Sequence, residues 1–320
     1  MRMRVVTGWV SGRGWMVVAL AMLVIALASC RHKSSGNEPA RGQSTFASPA
    51  EAGNALADAA RNDNREQMSA IFGPESGDLL YTGNAAEDKA SLAEFASAYG
   101  TMNRWRRLEN GSQILLVGAN NAAFPIPLRK DASGKWYFDT VAGKGELLNR
   151  TIGRNELAAI DVCAALADAE NEYFAQAHDG VQQYASKFIS DPGKQDGLYW
   201  PEAPGKPKSP VGPLVAFATD QGARLQSSLH KPFYGYYFGI LRTQGPWAHG
   251  GLRDYVRSGI MDRGFAFVAY PAQYGVTGVM TFIIDQDRVI YQRDLGKATK
   301  DTAPYLTQFS PEPGWTEVSQ

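Results

Sequence analysis

Cysteine is almost absent from this chain. Cys30 and Cys163 are its two thiols in 320 residues, which excludes a disulfide-stapled scaffold. Histidine is nearly as scarce. His32, His178, His230 and His249 lack the close His, Cys and carboxylate spacings of a zinc site. No Gly-x-Ser-x-Gly elbow occurs, so a serine hydrolase of that class lacks its nucleophile signature. No Gly-x-x-x-x-Gly-Lys loop is present to cradle phosphates. An excess of one charge is missing too: Lys+Arg and Asp+Glu are both 32. A basic face for nucleic acid is therefore not expected. The long apolar run, residues 15–28, falls short of the ~18 residues a stable membrane span needs.

What is present begins with that run. Arg2, Arg4 and Arg13 precede it, and Leu27-Ala28-Ser29-Cys30 closes it. Basic residues, a short apolar stretch and small residues make the pattern of a secretory signal peptide; the alternative is an uncleaved N-terminal anchor helix. The four residues ending in Cys30 resemble a lipobox, the site of bacterial lipoprotein signal peptidase. That resemblance implies residues 1–29 as a leader, Cys30 as the lipidated first residue, and durable membrane attachment through several acyl chains. Arg31, rather than an aspartate, follows it. By enterobacterial-type sorting this implies the outer membrane, facing the periplasm. The polar stretch 30–47 reads as a flexible tether.

A length of 320 residues, 44% of them hydrophobic, suits one or two domains with real cores. The expected fold class is α+β, divided into residues 48–150 and 151–320. In the first part, Ser48-Pro49-Ala50-Glu51 starts a helix with a cap, a first-turn proline and a capping-box partner. Asp63-Asn64-Arg65-Glu66 repeats the device, and Gly73-Pro74 stops the second helix. A third helix is expected over residues 88–99. Asn110-Gly111 between residues 106–109 and 113–117 predicts a hairpin. Phe124-Pro125-Ile126-Pro127-Leu128 is too proline-rich for a central strand and belongs at an edge, and the 131–134 turn leads into Trp136-Tyr137-Phe138-Asp139. Helices followed by an antiparallel sheet resemble the cone fold of nuclear-transport-factor-2-like proteins, an analogy of fold alone.

The second part should open with a helix from about Asn155 to about Ala177, where Leu157, Ile160, Ala164, Ala167 and Phe174 recur at helical spacing. Lone Cys163 on that helix is expected to be buried. A Gly-, Pro- and Lys-rich loop occupies residues 191–213. The remainder reads as a meander of strands at 234–242, 264–270, 278–284 and 289–293, apolar on both faces.

Ordered blocks along the mature chain resemble the DUF2950 family of exported bacterial proteins. They are Phe46-Ala47-Ser48-Pro49-Ala50-Glu51, Phe124–Leu128, Trp136–Asp139, Ile152-Gly153-Arg154-Asn155-Glu156-Leu157-Ala158-Ala159-Ile160, Asp196-Gly197-Leu198-Tyr199-Trp200, Ser209-Pro210, Gly235-Tyr236-Tyr237-Phe238, Tyr274-Gly275-Val276-Thr277-Gly278-Val279-Met280-Thr281-Phe282 and Asp294-Leu295-Gly296. The resemblance implies export and supplies no activity. The helix with Asn155, Glu156, Glu172 and Tyr173, followed by the 235–238 and 275–285 strands, resembles the head of a type IV pilin. It lacks the apolar pilin tail, so the implied role is contact with other surface proteins rather than polymerisation.

No catalytic residue, metal or cofactor is assigned. His249 with Asp254 or Asp196 could make an acid–base pair, although a glycine turn bearing a surface histidine explains it as well. Asp285-x-Asp287 resembles the start of a calcium loop but lacks the glycine and closing glutamate, so a hairpin turn is expected. Tyr199, Trp200, Tyr234, Tyr236 and Tyr237 are the candidate binding surface, an aromatic platform set against core packing. The expected function is a lipid-anchored cell-envelope module that binds or assembles with an envelope protein partner, without nucleic acid. An envelope hydrolase with a site between the domains is the alternative, and a mechanical lipoprotein a third reading.

Overall fold

The computed structural model describes residues 38–74, 76–77, 84–178, 180–202, 204–205, 207–211 and 232–319. Cys30, the leader, Arg31, His32 and His230 lie outside the described residues. Residues Asn37–Gln320 cluster as one compact unit of α+β architecture. Among the described residues it holds three helices and a sheet, then a long helix and a second antiparallel sheet.

Helix α1 (Pro49–Arg61) starts where the cap chemistry predicts. The Ser48 side chain accepts a hydrogen bond from the Glu51 N–H. Glu51 reaches back to the Ala47 N–H at 2.8 Å, one residue earlier than a standard capping box. Asn64 caps α2 (Arg65–Phe72) through the Gln67 N–H. Helix α3 (Ala85–Thr101) begins at its Asn84 cap, three residues before the expected start, and runs through Gly100.

The first sheet follows. Strands β1 (Asn103–Arg107) and β2 (Gln113–Val117) form the antiparallel hairpin around Asn110-Gly111. The short β3 (Ala122–Ala123) pairs back onto β2. β4 (Leu128–Lys130) and β5 (Trp136–Phe138) complete the order β1-β2-β4-β5. Residues 124–127 join no strand. Phe124 instead packs its ring against Phe72, Phe95 and Phe138. This aromatic cluster, with Phe46, Leu56, Met68, Ile71, Ile126 and Leu128, is the core of the first half.

The long helix α4 (Thr140–Phe174) departs most from expectation, starting fifteen residues before Asn155 and passing through position 150 without a break. Gly143, Gly145 and Gly153 argue against helix by propensity alone. Packing overrides them. A Cβ on Gly143 would lie 2.6 Å from Ile126, so glycine is what lets the helix approach the first core. Asp139 caps the start by accepting from the Ala142 N–H, and its second oxygen faces Arg129 Nε at 3.3 Å.

Beyond Ala159 the same helix becomes one wall of a second core. Ala159, Val162, Cys163, Leu166, Ala167, Ala169 and Tyr173 are buried against the second sheet. The members of that sheet are β6 (Tyr236–Leu241), β11 (Ala266–Pro271), β12 (Met280–Asp285), β13 (Ile290–Asp294) and the edge strand β15 (Thr316–Glu317). They lie in the order β15-β13-β12-β11-β6, antiparallel throughout. Residues Thr281–Asp285 are all buried, so both faces of β12 are covered, as its two-sided apolar pattern implied.

Between β6 and β11 the chain makes an excursion. β7 (Thr243–Gln244), β8 (Arg253–Asp254) and the later β14 (Gln308–Phe309) form a three-stranded patch in the order β14-β7-β8. β9 (Val256–Arg257) and β10 (Ile260–Met261) form a two-stranded one.

Candidate binding site on the 243–263 excursion

The aromatic residues singled out in the sequence separate in the structure. Tyr236 is fully buried and its hydroxyl donates to the Met280 carbonyl at 2.8 Å. Trp200 is 4% exposed, with its indole N–H on the Pro207 carbonyl. Tyr199 packs partly buried against the second core. Tyr237 is half-buried against the Tyr270 ring, and Tyr234 stands 48% exposed. Three of the five thus retain accessible surface. Trp200 and Tyr236 are core, because each pairs its polar tip with a backbone carbonyl and buries the rest.

The blocks around Asn155 and residues 275–285 also have a structural task. Asn155 Nδ2 donates to the Thr277 carbonyl at 2.8 Å. Glu156 Oε1 accepts from the N–H groups of both Val279 and Met280, at 2.8 and 3.0 Å. A Cβ on Gly278 would lie 2.2 Å from the Tyr236 hydroxyl, so only glycine admits that ring. Together these contacts fasten the 273–280 loop and the start of β12 to the middle of α4.

The titratable candidates do not meet as the sequence suggested. His249 Nδ1 lies 3.1 Å from Asp287 Oδ2, not on Asp254 or Asp196. Asp196 is engaged elsewhere, with Lys187 Nζ and the Asp191 N–H, each at 2.9 Å. The 285–288 segment is the expected hairpin turn, in which Asp285 Oδ1 accepts from the Asp287 N–H. Burial pushes the Asp285 carboxyl up to about 6. Among the described residues no group of three or more His, Cys, Asp or Glu side chains could hold a metal ion, and no helix is long and apolar enough to cross a membrane.

A different constellation stands out. Thr243, Gln244, Leu252, Arg253, Asp254, Arg263 and Gln308 line an open depression of about 360 Å³. Its floor is built from β7, β8 and β14. Buried Gln244 holds the 245–252 loop from below, its Nε2 donating to the carbonyls of His249 and Gly251 at 2.8 and 2.6 Å. Arg253 Nη1 donates to the Arg263 carbonyl at 3.4 Å. Gly250 leaves room for that guanidinium, since a Cβ there would lie 2.8 Å from Arg253 Nη2. Leu252 is 76% exposed and Trp247, on the same loop, 58%. Among the described residues no ion pair involves Arg253, Arg263 or Asp254.

Sequence reasoning passed over Trp247, Leu252 and both arginines. One signal was available: Gly245-Pro246-Trp247-Ala248-His249-Gly250-Gly251-Leu252 sets a tryptophan and a leucine in a turn too rich in glycine and proline to bury them.

The family described as "Protein of unknown function (DUF2950)" matches residues 43–318, and the chain belongs to it. No curated protein and no solved structure matches the chain.

Proposed function

We propose that this DUF2950 member is a lipid-anchored protein of the cell envelope, held to the outer membrane on its periplasmic side, whose folded unit is a non-enzymatic binding or assembly module. The observation that carries the anchorage is the order Arg2, Arg4, Arg13, apolar run, Leu27-Ala28-Ser29-Cys30. A secreted precursor with that order offers its cysteine for acylation. Several acyl chains then supply enough apolar burial for stable attachment. Support for the binding role comes from the 245–252 loop, which exposes Trp247 and Leu252 beside two arginines free of ion pairs among the described residues. A helix-then-sheet order like that of a pilin head suits contact with surface machinery.

A fatty-acid labelling experiment tests the anchorage. Cells expressing the full chain are fed an alkyne-tagged fatty acid, and the label is expected on the wild type and absent from Cys30→Ala. The variant should also leave the membrane fraction. Equal labelling, or unchanged maturation and retention, would overturn the assignment. The binding role is tested by crosslinking in the envelope: a partner adduct of the wild type should be lost in Trp247→Ala.

The second reading, an envelope hydrolase, has the His249–Asp287 contact in its favour. The histidine side chain is 91% exposed, and a base so open to water gains little from its surroundings. Binding is therefore preferred.

A further inference from the structure

We propose that the depression beside the 245–252 loop binds the carboxyl terminus of a peptide. The inference deepens the binding-module reading and rests on it. It does not depend on Cys30.

Three features of the depression select the ligand. The first is charge. Arg253 and Arg263 both line it, against a single carboxylate, Asp254. Guanidinium groups present a planar fork that matches a carboxylate with two parallel hydrogen bonds. Arg253 is held in place beforehand, because its Nη1 rests on the Arg263 carbonyl and its Nη2 passes over Gly250. Less ordering is then needed when a ligand arrives.

The second feature is the lone acid. Asp254 would repel a ligand that is only an anion. It suits one that carries an N–H donor close to its carboxylate, the arrangement at the last residue of a peptide. Sulfate offers no donor at neutral pH, and a phosphate ion offers an O–H but no apolar side chain. The third feature is the apolar rim. Leu252 lines the depression and Trp247 stands on the same loop, so a terminal residue with an apolar side chain can bury surface there. A volume of about 360 Å³ lies at the small end of ligand sites, and it accommodates one or two residues rather than a folded partner.

The test is calorimetric titration of the purified full chain, in detergent, with N-acetyl-alanyl-phenylalanine and with its C-terminal amide. The acid should bind saturably and the amide at least about tenfold more weakly, the worth of a charge-assisted contact. Arg253→Gln and Arg263→Gln should each bring the acid down toward the amide and leave the amide unchanged. Arg263 is exposed, so its substitution does not disturb the core if Arg253→Gln misfolds. Trp247→Ala should weaken both peptides by the same factor. No saturable binding of the acid, or equal affinity for acid and amide, overturns the proposal. If Trp247→Ala still abolishes the envelope crosslink in that case, the binding module stands and only the peptide-terminus assignment falls.

Discussion

Glu170 offers the sharpest physical test of the fold. It lies on α4 and is fully buried. Its Oε2 accepts from the Ala185 N–H at 2.8 Å, which ties the 181–190 segment to the helix. Its Oε1 has no hydrogen-bond partner among the described residues. Loss of solvent pushes its carboxyl from 4.5 up to about 8. At neutral pH the folded chain therefore keeps a proton that the unfolded chain sheds. Stability is fully present below pH 4.5 and is lost as pH rises toward 8. The slope in that window is about 1.4 kcal/mol per pH unit, and the whole loss is of order 5 kcal/mol, with about 3 kcal/mol gone by pH 7.

Glu170→Gln keeps an acceptor for Ala185 and cannot ionise. Near pH 4 the variant should match the wild type or fall about 1 kcal/mol below it, since its amide has a second N–H to satisfy. By pH 9 it should be the more stable by several kcal/mol. Denaturant unfolding of both proteins at steps from pH 4 to 9 reads the difference directly. Asp285 is also raised, with the same sign, but it is common to both proteins and cancels. A difference that stays flat across the range would refute the reasoning, and with it the burial of this carboxylate.

Three further outcomes follow from the packing. Gly143→Ala should cost about 1–3 kcal/mol through the clash with Ile126. Gly145→Ala, with nothing within 4 Å of its Cβ, should be neutral or stabilise by up to ~1 kcal/mol; thermal melts of the pair separate close approach from propensity. Glu156→Ala should cost about 2–3 kcal/mol, because two backbone N–H groups lose a charged acceptor, and hydrogen exchange at Val279 and Met280 should rise. Burial pushes the Cys163 thiol up to about 12, so in Cys30→Ala protein a thiol reagent should report no reactive group until denaturant unfolds the chain.

Local chemistry made much of this fold legible. Ser48 caps α1 where expected, and α2 is capped one residue later than the repeated device implied, by Asn64 rather than Asp63, because a short polar side chain before a periodic stretch has little else to do. Asn110-Gly111 turned the chain where a hairpin needs positive φ. What stayed hidden depends on contacts distant in sequence. The start of α4 could not be read, because the reason for Gly143 is Ile126, a residue of the connection between β3 and β4. Likewise the aromatic residues of the 234–237 stretch look equivalent in sequence. Only tertiary pairing with Met280 makes Tyr236 core while Tyr234 faces solvent.

The same distinction locates the function. Several blocks that resemble the family are spent on the scaffold. Asn155 and Glu156 lock α4 to the second sheet, Tyr236 and Gly278 close β6 against the start of β12, and Asp196 pairs with Lys187. A residue whose polar atoms are already paired with the protein's own backbone has little left for a ligand. The 243–263 excursion is the opposite case, because it lies between two of those blocks, exposes Trp247 and Leu252, and carries Arg253 and Arg263 without an ion pair among the described residues. A short strand patch holds it firmly: Gln244 braces the loop from beneath, and the Gly245 N–H bonds the Phe309 carbonyl at 2.8 Å. Rigid backing under exposed apolar and charged side chains is what a recognition loop requires. Replacing the exposed Trp247 and Leu252 with serine should therefore change what this protein binds while leaving its unfolding transition within about 1 kcal/mol of the original. A large loss of stability would instead make the loop part of the scaffold.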